Sequence, residues 1–285
     1  MEKRMSLFVI VLIVLAVSSS TVLALPPMGP PKAFLGQDQW ALSLGYAYSQ
    51  MDLQAYGRVQ EDQGAGWLPA TYSKHTIEDF TSNIVLGSLG YGVSDNWDVF
   101  VCLGVSDAQG DMSENRLDGS LGNEYSGLDC SFGYAWGFGT RATFWRDGDV
   151  IWGGLFQATW QNPGDGSVTL KPTGGDPSRL TGDVELDLSE IQIAVGPTVQ
   201  LDSFCIYGGP FFHFVKGDAD VDVTGEDSFG ATWRVTASQD IREESQLGIY
   251  AGAQWRGSET ISWFAEYRMT GDAWGIGLGA ILKFQ

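Results

Sequence analysis

Along most of this chain, large apolar residues alternate with small ones at a period of two. In QWALSLGYAYS, residues Trp40, Leu42, Leu44, Tyr46 and Tyr48 share one parity, and Ala41, Ser43, Gly45, Ala47 and Ser49 share the other. NIVLGSLGYGV and WDVFVCLGV repeat the pattern on either side of a short SDN turn. In the longest run, Leu128 to Phe144, even positions carry Cys130, Phe132, Tyr134, Trp136 and Phe138, and odd positions carry Asp129, Gly133, Gly137 and Arg141. VIWGGLFQATW, EIQIAVGPTVQL, FCIYGGPFFHFV, QLGIYAGAQW, TISWFAEYRM and AWGIGLGAILKF complete a set of ten. Period-two alternation marks a strand whose two faces meet different surroundings. Asp147-Gly148 within RDGD adds a tight hairpin signal. The pattern predicts an all-β, antiparallel chain.

The connections between runs alternate in length. Those at 94–96, 146–149, 202–203 and 256–259 are short, and those at 50–76, 106–126, 161–183 and 217–244 are long, with only 270–272 breaking the alternation. This asymmetry, with an even number of strands, predicts a transmembrane β-barrel. Its tight turns would be periplasmic and its long loops extracellular. Ten strands are expected, with eight or twelve as alternatives. Within the long connections, AYGRVQ with ATYSKHT, and DADVDV with ATWRVTASQ, could extend their strands beyond the membrane as tall hairpins.

A soluble sandwich or lipocalin-like barrel would show the same period. Two features argue for lipid instead. Glycine, alanine and serine dominate the small face, which is too poor in charge for a solvated exterior. Tryptophan and tyrosine gather near run ends, as in the aromatic girdles of membrane barrels. Composition agrees, with 38 Gly, 11 Trp, 10 Tyr and 15 Phe but only 18% charged residues. The net charge of −19 disfavours nucleic acid as a partner.

Lys3 and Arg4, the apolar run Leu7–Val17, and the small residues before Ala24 read as an export signal spanning 1–24. The run is too short to cross a bilayer as a helix. A proline-rich leader, 25–37, precedes the barrel domain at 38–285. Cys102, Cys130 and Cys205 each lie inside an alternating run and read as buried thiols rather than a disulfide framework. Their parities set Cys102 and Cys130 on opposite faces.

The final strand, alternating and with an aromatic beside the end, resembles the C-terminal assembly signal of bacterial outer-membrane β-barrel proteins. The hairpins GYGVSDNWDVFVCLGV and ISWFAEYRMTGDAWGIGLGAILKF look like those of the small OmpA-like and opacity-type barrels. The resemblance covers about 38–285. It implies recognition of Trp274, Ile276, Leu278, Leu282 and Phe284 by the barrel-insertion machinery, and outer-membrane lipid as the surrounding partner. Gln285 departs from the pattern by following the aromatic.

If the large residues face lipid, the other parity lines the lumen. The expected lining includes Asp129, Arg141, Glu190, Gln192, His213, Glu266, Arg268 and Lys283. Two functions follow, a rigid polar plug or a narrow polar pore whose groups set ion preference. Catalytic chemistry is poorly supplied. His75 with Glu78 and Asp79 resembles the rim of omptin-type outer-membrane proteases. Those need acids and a His–Asp pair on separate strands, and one local cluster does not provide them. No catalytic residues and no cofactor are expected. Asp218, Asp220 and Asp222 have the opening spacing of an EF-hand loop and give a candidate loop calcium site, but Val223 stands where that loop requires glycine. The expected role is structural or surface interaction, with a channel as the alternative and a rim hydrolase as a remote third.

Overall fold

The computed structural model describes residues 26–284 apart from 63, 65, 116–120, 173–178 and 244. The proposed export signal lies outside the described residues. Among the described residues, twelve antiparallel strands follow one another: β1 (Trp40–Asp62), β2 (Thr71–Ser94), β3 (Trp97–Asn115), β4 (Leu121–Asp147), β5 (Val150–Asn162), β6 (Gly166–Pro172), β7 (Leu180–Leu201), β8 (Phe204–Glu226), β9 (Thr232–Glu243), β10 (Leu247–Arg256), β11 (Ile261–Met269) and β12 (Ala273–Phe284). Among the described residues no helix is long and apolar enough to cross a membrane.

The strands close into two rings stacked on a common axis. At the end with the tight turns, called lower here, pairing runs β1–β2–β3–β4–β5–β7–β8–β10–β11–β12 and returns to β1. The closing register sets Trp40 opposite Phe284 and Met51 opposite Ala273. Above that, β12 and β11 have ended. There β9 takes their place beside β1, from Leu53 opposite Glu243 to Asp62 opposite Arg234. The upper ring runs β1–β2–β3–β4–β6–β7–β8–β9. β6 continues β5 past a break at Pro163–Asp165, and β10 continues β9 past residues 244–246. Each of the ten alternating runs therefore contributes a strand to the lower ring, and the run from Leu128 also reaches the upper one.

The long connections expected as loops are mostly strand. The segments 53–62, 71–76, 180–183 and 217–226 belong to the tall wall of the upper ring. The extensions anticipated for AYGRVQ, ATYSKHT and DADVDV are present. ATWRVTASQ goes further, because β9 also seals the ring against β1.

Polarity inverts between the two rings, and unbroken strands show why. On β7 the inward side chains are Val184, Leu186 and Leu188 above, then Glu190, Gln192 and Thr198 below. Its outward side chains are Asp183, Glu185 and Asp187 above, then Ile191, Ile193 and Val195 below. On β8 the outward order is Asp222, Asp220, Asp218 and Lys216, then Phe214 and Phe212. Period two is kept throughout, and only the chemistry of the two faces is exchanged. The lower ring therefore carries an exposed apolar belt and a polar interior. The upper ring carries a charged exterior and an apolar core of Met51, Leu53, Ile77, Phe80, Leu128, Val168, Leu186, Leu188, Val215, Val221 and Ile241.

Other strands change facing by an irregularity at the same level. β2 is irregular at Glu78–Asp79, where Asp79 has a φ of 50°. β4 changes at residues 131–133, opposite Pro163–Asp165, so that Leu128 and Cys130 face in although Tyr134 and Trp136 face out. This corrects the expected facing of Cys130. Cys102 and Cys130 are both inside, 3% and 2% exposed, and all three cysteines are free thiols.

Candidate functional site: a closed polar lumen

The interior of the lower ring is occupied by the leader itself. Residues 26–36 run up from the mouth and make hydrogen bonds along the way. Asp98 accepts from the backbone N–H groups of Phe34 and Leu35, at 2.5 and 3.3 Å. Thr143 Oγ1 accepts from Ala33 N at 3.1 Å. Lys283 Nζ donates to Phe34 O at 2.7 Å and lies over the Phe34 ring. Lys32 Nζ reaches Gln200 at 3.2 Å. Higher up, Glu266 accepts Met28 N and Gly29 N, one on each carboxylate oxygen, both at 2.8 Å. At the top, Arg268 Nη1 donates to Pro26 O. Three of the leader's prolines, Pro27, Pro30 and Pro31, lack an N–H that would need a partner inside.

Inward glycines make room for this segment. A side-chain carbon at Gly277 would lie 3.1 Å from both Pro27 and Glu266, and one at Gly45 would lie 3.1 Å from Pro27. At Gly279 it would stand 2.4 Å from the Phe264 ring, and at Gly252 2.4 Å from Tyr207. The glycine face of AWGIGLGAILKF is thus a mould for the leader and for its neighbours' larger side chains. Met28 packs with Leu155, Cys205, Tyr207, Phe211 and Tyr250.

Above the leader sits a buried charged cluster. His213 Nδ1 is 2.7 Å from Glu243 Oε2, and its Nε2 is 3.7 Å from Glu190 Oε2. Gln161 donates to Glu190 at 2.9 Å. Arg268 Nε is 3.3 Å from Glu266 Oε1, and Tyr207 O–H donates to Glu266 at 3.1 Å. Arg268 and His213 have no exposed surface. Buried charges survive only when paired and hydrogen-bonded, and this cluster pairs them across β7, β8, β9 and β11. The apolar core of the upper ring lies directly above. The spaces adjoining the leader are small, about 40 Å³ around Pro27–Pro30 and about 120 Å³ at the mouth by Lys32 and Gln200.

The expected lining residues divide clearly. Arg141, Glu190, Gln192, His213, Glu266, Arg268 and Lys283 face the interior, with the Arg141 guanidinium over Phe100. Asp129 does not. It is exposed on the outer wall and accepts from Gln109 Nε2 at 2.9 Å, because β4 has changed facing between Tyr134 and Cys130. Of the proposed assembly residues, Ile276, Leu282 and Phe284 are exposed on the outer face of β12, and Trp274 and Leu278 are half-buried there. Asp218, Asp220 and Asp222 are not in a loop. They project from one face of β8, and Asp222 pairs with Arg234. Among the described residues no group of three or more metal-binding side chains is assembled. His75 lies on β2, and Asp79 accepts from Gln50 Nε2. The sequence marks the proline-rich leader, 25–37, but not its seat inside the barrel, and it does not single out Glu243.

No family model and no curated protein matches the chain. Solved structures do. The outer membrane protease OmpT from Escherichia coli superposes over 88% of this chain and 96% of its own, with a TM-score of 0.51 at 8% identity. OprG, an outer membrane protein from Pseudomonas aeruginosa, matches over 88% and 97%, with a TM-score of 0.41 at 10% identity. At such identity the likeness to OmpT speaks for the fold alone. Taken with the closed antiparallel ring and its apolar belt, it identifies the fold of this chain as that of the bacterial outer-membrane β-barrels.

Proposed function

We propose that this protein is an integral outer-membrane barrel whose lumen is closed, with ten strands in the bilayer and an eight-stranded turret standing above it. Its role is structural or in surface interaction, without enzymatic activity. The tight turns face the periplasm and the acidic turret faces outward. Export through residues 1–24 and delivery by the barrel-insertion machinery place it there, with lipid around the belt.

One observation supports the closed reading: two independent seals lie in series, the hydrogen-bonded leader below and the packed apolar core above. A narrow polar pore would need a wetted path past both. The charged outer wall of β7–β8–β9 supports the turret, since strands there set like charges opposite one another, as Asp183 with Asp222 and Glu185 with Asp220. Such pairs are tolerable only in water. Planar bilayers holding the purified full chain test the reading. The protein should show heat-modifiable gel migration and no discrete conductance. Reproducible unitary conductance would favour the channel alternative.

A further inference from the structure

One rung of the outer wall lies where the apolar belt meets the charged exterior. Cross-strand register sets Trp136 opposite Trp160, Trp160 opposite Ser189, Ser189 opposite Lys216, and Lys216 opposite Arg242, across β4, β5, β7, β8 and β9. The two indoles stack with their centroids 4.5 Å apart. Two residues below Lys216, Phe214 belongs to the belt, where its ring stacks on Phe212. Two residues above, the next outward rung sets Asp187 opposite Asp218 and Asp218 opposite Asp240. The rungs are about 7 Å apart, two residues at about 3.4 Å each. A groove of about 370 Å³ spans both, from the tryptophans to Arg242.

The two rows of like charge are not matched to each other. Among the described residues neither Lys216 nor Arg242 has an ion-pair partner, and neither has Asp218 nor Asp240. Asp187 accepts from Asn162 Nδ2. Like charges directly opposite on neighbouring strands repel. Around the level where facing changes on β2 and β4, the exposed charged residues are Asp79 and Asp129, so the cation pair belongs to this sector and not to the rim as a whole.

A ligand that satisfies both rows carries a negative group next to the belt and a positive group one step further out. A headgroup with phosphate alone would meet the aspartates as well as the cations, on a chain of net charge −19. A quaternary ammonium would bring no N–H donor to the aspartates. A primary ammonium tethered to a phosphate, with the phosphate ester leading back to the acyl layer, fits the order of the rungs.

We propose that the groove between these two rungs binds the phosphoethanolamine headgroup of a membrane lipid. Lys216 and Arg242 donate to its phosphate, and Asp218 and Asp240 accept from its ammonium. Its acyl chains lie along Phe214, Phe212 and Ile191, and the stacked tryptophans wall one end of the groove. The inference rests on the membrane-barrel reading above, in which this boundary is the outer edge of the bilayer, but its readout is separate from conductance and from folding.

The test adds equal amounts of phosphatidylethanolamine, phosphatidylglycerol and phosphatidylcholine, with matched acyl chains, to the full-length protein in detergent. Native mass spectrometry then counts the bound lipid. Phosphatidylethanolamine should be retained over each of the others by about tenfold, the worth of one hydrogen bond to a charged group. Lys216→Ala combined with Arg242→Ala should remove that excess. Asp218→Asn combined with Asp240→Asn should keep phosphate binding and let phosphatidylglycerol equal or exceed phosphatidylethanolamine, a reversal that a loss of packing would not produce. All four positions point outward, and heat-modifiable migration checks that each barrel is intact. Loss of that migration in the unaltered protein would overturn the barrel reading and the proposal with it. With the barrel intact, equal retention of the three lipids, a preference for phosphatidylglycerol, or an unchanged preference in both variants overturns the proposal alone.

Discussion

Met28 and Glu266, 238 positions apart in the chain, are joined by a 2.8 Å hydrogen bond from the Met28 backbone N–H to the Glu266 carboxylate in the barrel interior. With the matching bond from Gly29 and the contact to Arg268, this carboxylate ties the plug to the wall. Glu266→Ala leaves Arg268 buried without its partner. Removing one member of a buried pair costs about 3–5 kcal/mol. The variant should convert from folded to unfolded migration at a lower temperature, and limited proteolysis should cut the leader.

The upper core should behave like that of a soluble protein. Phe80 has no exposed surface, and Phe80→Ala should cost about 3–5 kcal/mol. Glu185→Ala, on the water-facing outer wall of the upper ring, should change stability by about 0.5 kcal/mol or less. Denaturant titration in detergent micelles, followed by tryptophan fluorescence, compares the two.

The turn between β8 and β9 should be pH-sensitive. Asp227 accepts from the N–H groups of Ala231 and Phe229, at 2.8 and 2.9 Å, and from the Trp233 indole. The bond from Ala231 is the main cause that holds its carboxyl below the ordinary value. A depressed folded pKa contributes stability that is present above the unfolded pKa, about 4, and lost as pH falls through the folded value. Amide exchange at Phe229 and Ala231 should therefore be protected at pH 7, with the protection disappearing below about pH 4 beyond the intrinsic change. Asp227→Asn should weaken it at pH 7 and flatten the profile.

The last strand should be needed for closure. Phe284 stands opposite Trp40, and Leu282 opposite Leu42, in the seam that joins β12 to β1. Deleting Phe284 and Gln285 should leave the protein unfolded in the periplasm, read by protease sensitivity in spheroplasts. Normal heat-modifiable barrels from that truncation would contradict this.

The alternation that exposed the strands in the sequence is a local property of backbone geometry, and so the ten runs of the lower ring and most of the inward residues were legible. Period two says that the two faces differ, but it does not say which face meets which medium. DVELDLSEIQI alternates without a break, yet its apolar side turns from core to exterior between Leu188 and Ile191. Asp129 was misplaced because the change of facing at 131–133 depends on a partner segment, Pro163–Asp165, more than 30 residues away. The pairing of β9 with β1, and the leader's seat against Glu266, are long-range contacts that no local pattern announces.

The exchange of inside and outside along one strand is the centre of this account, and spin labels on β7 measure it most directly. In a background without Cys102, Cys130 and Cys205, single cysteines at positions 185 and 193 carry labels on the outward face of the same strand, above and below the boundary. In liposomes, the account predicts that the label at 193 is relaxed by oxygen and shielded from a water-soluble nickel chelate, while the label at 185 shows the reverse. Equal exposure of both labels to the chelate would contradict it.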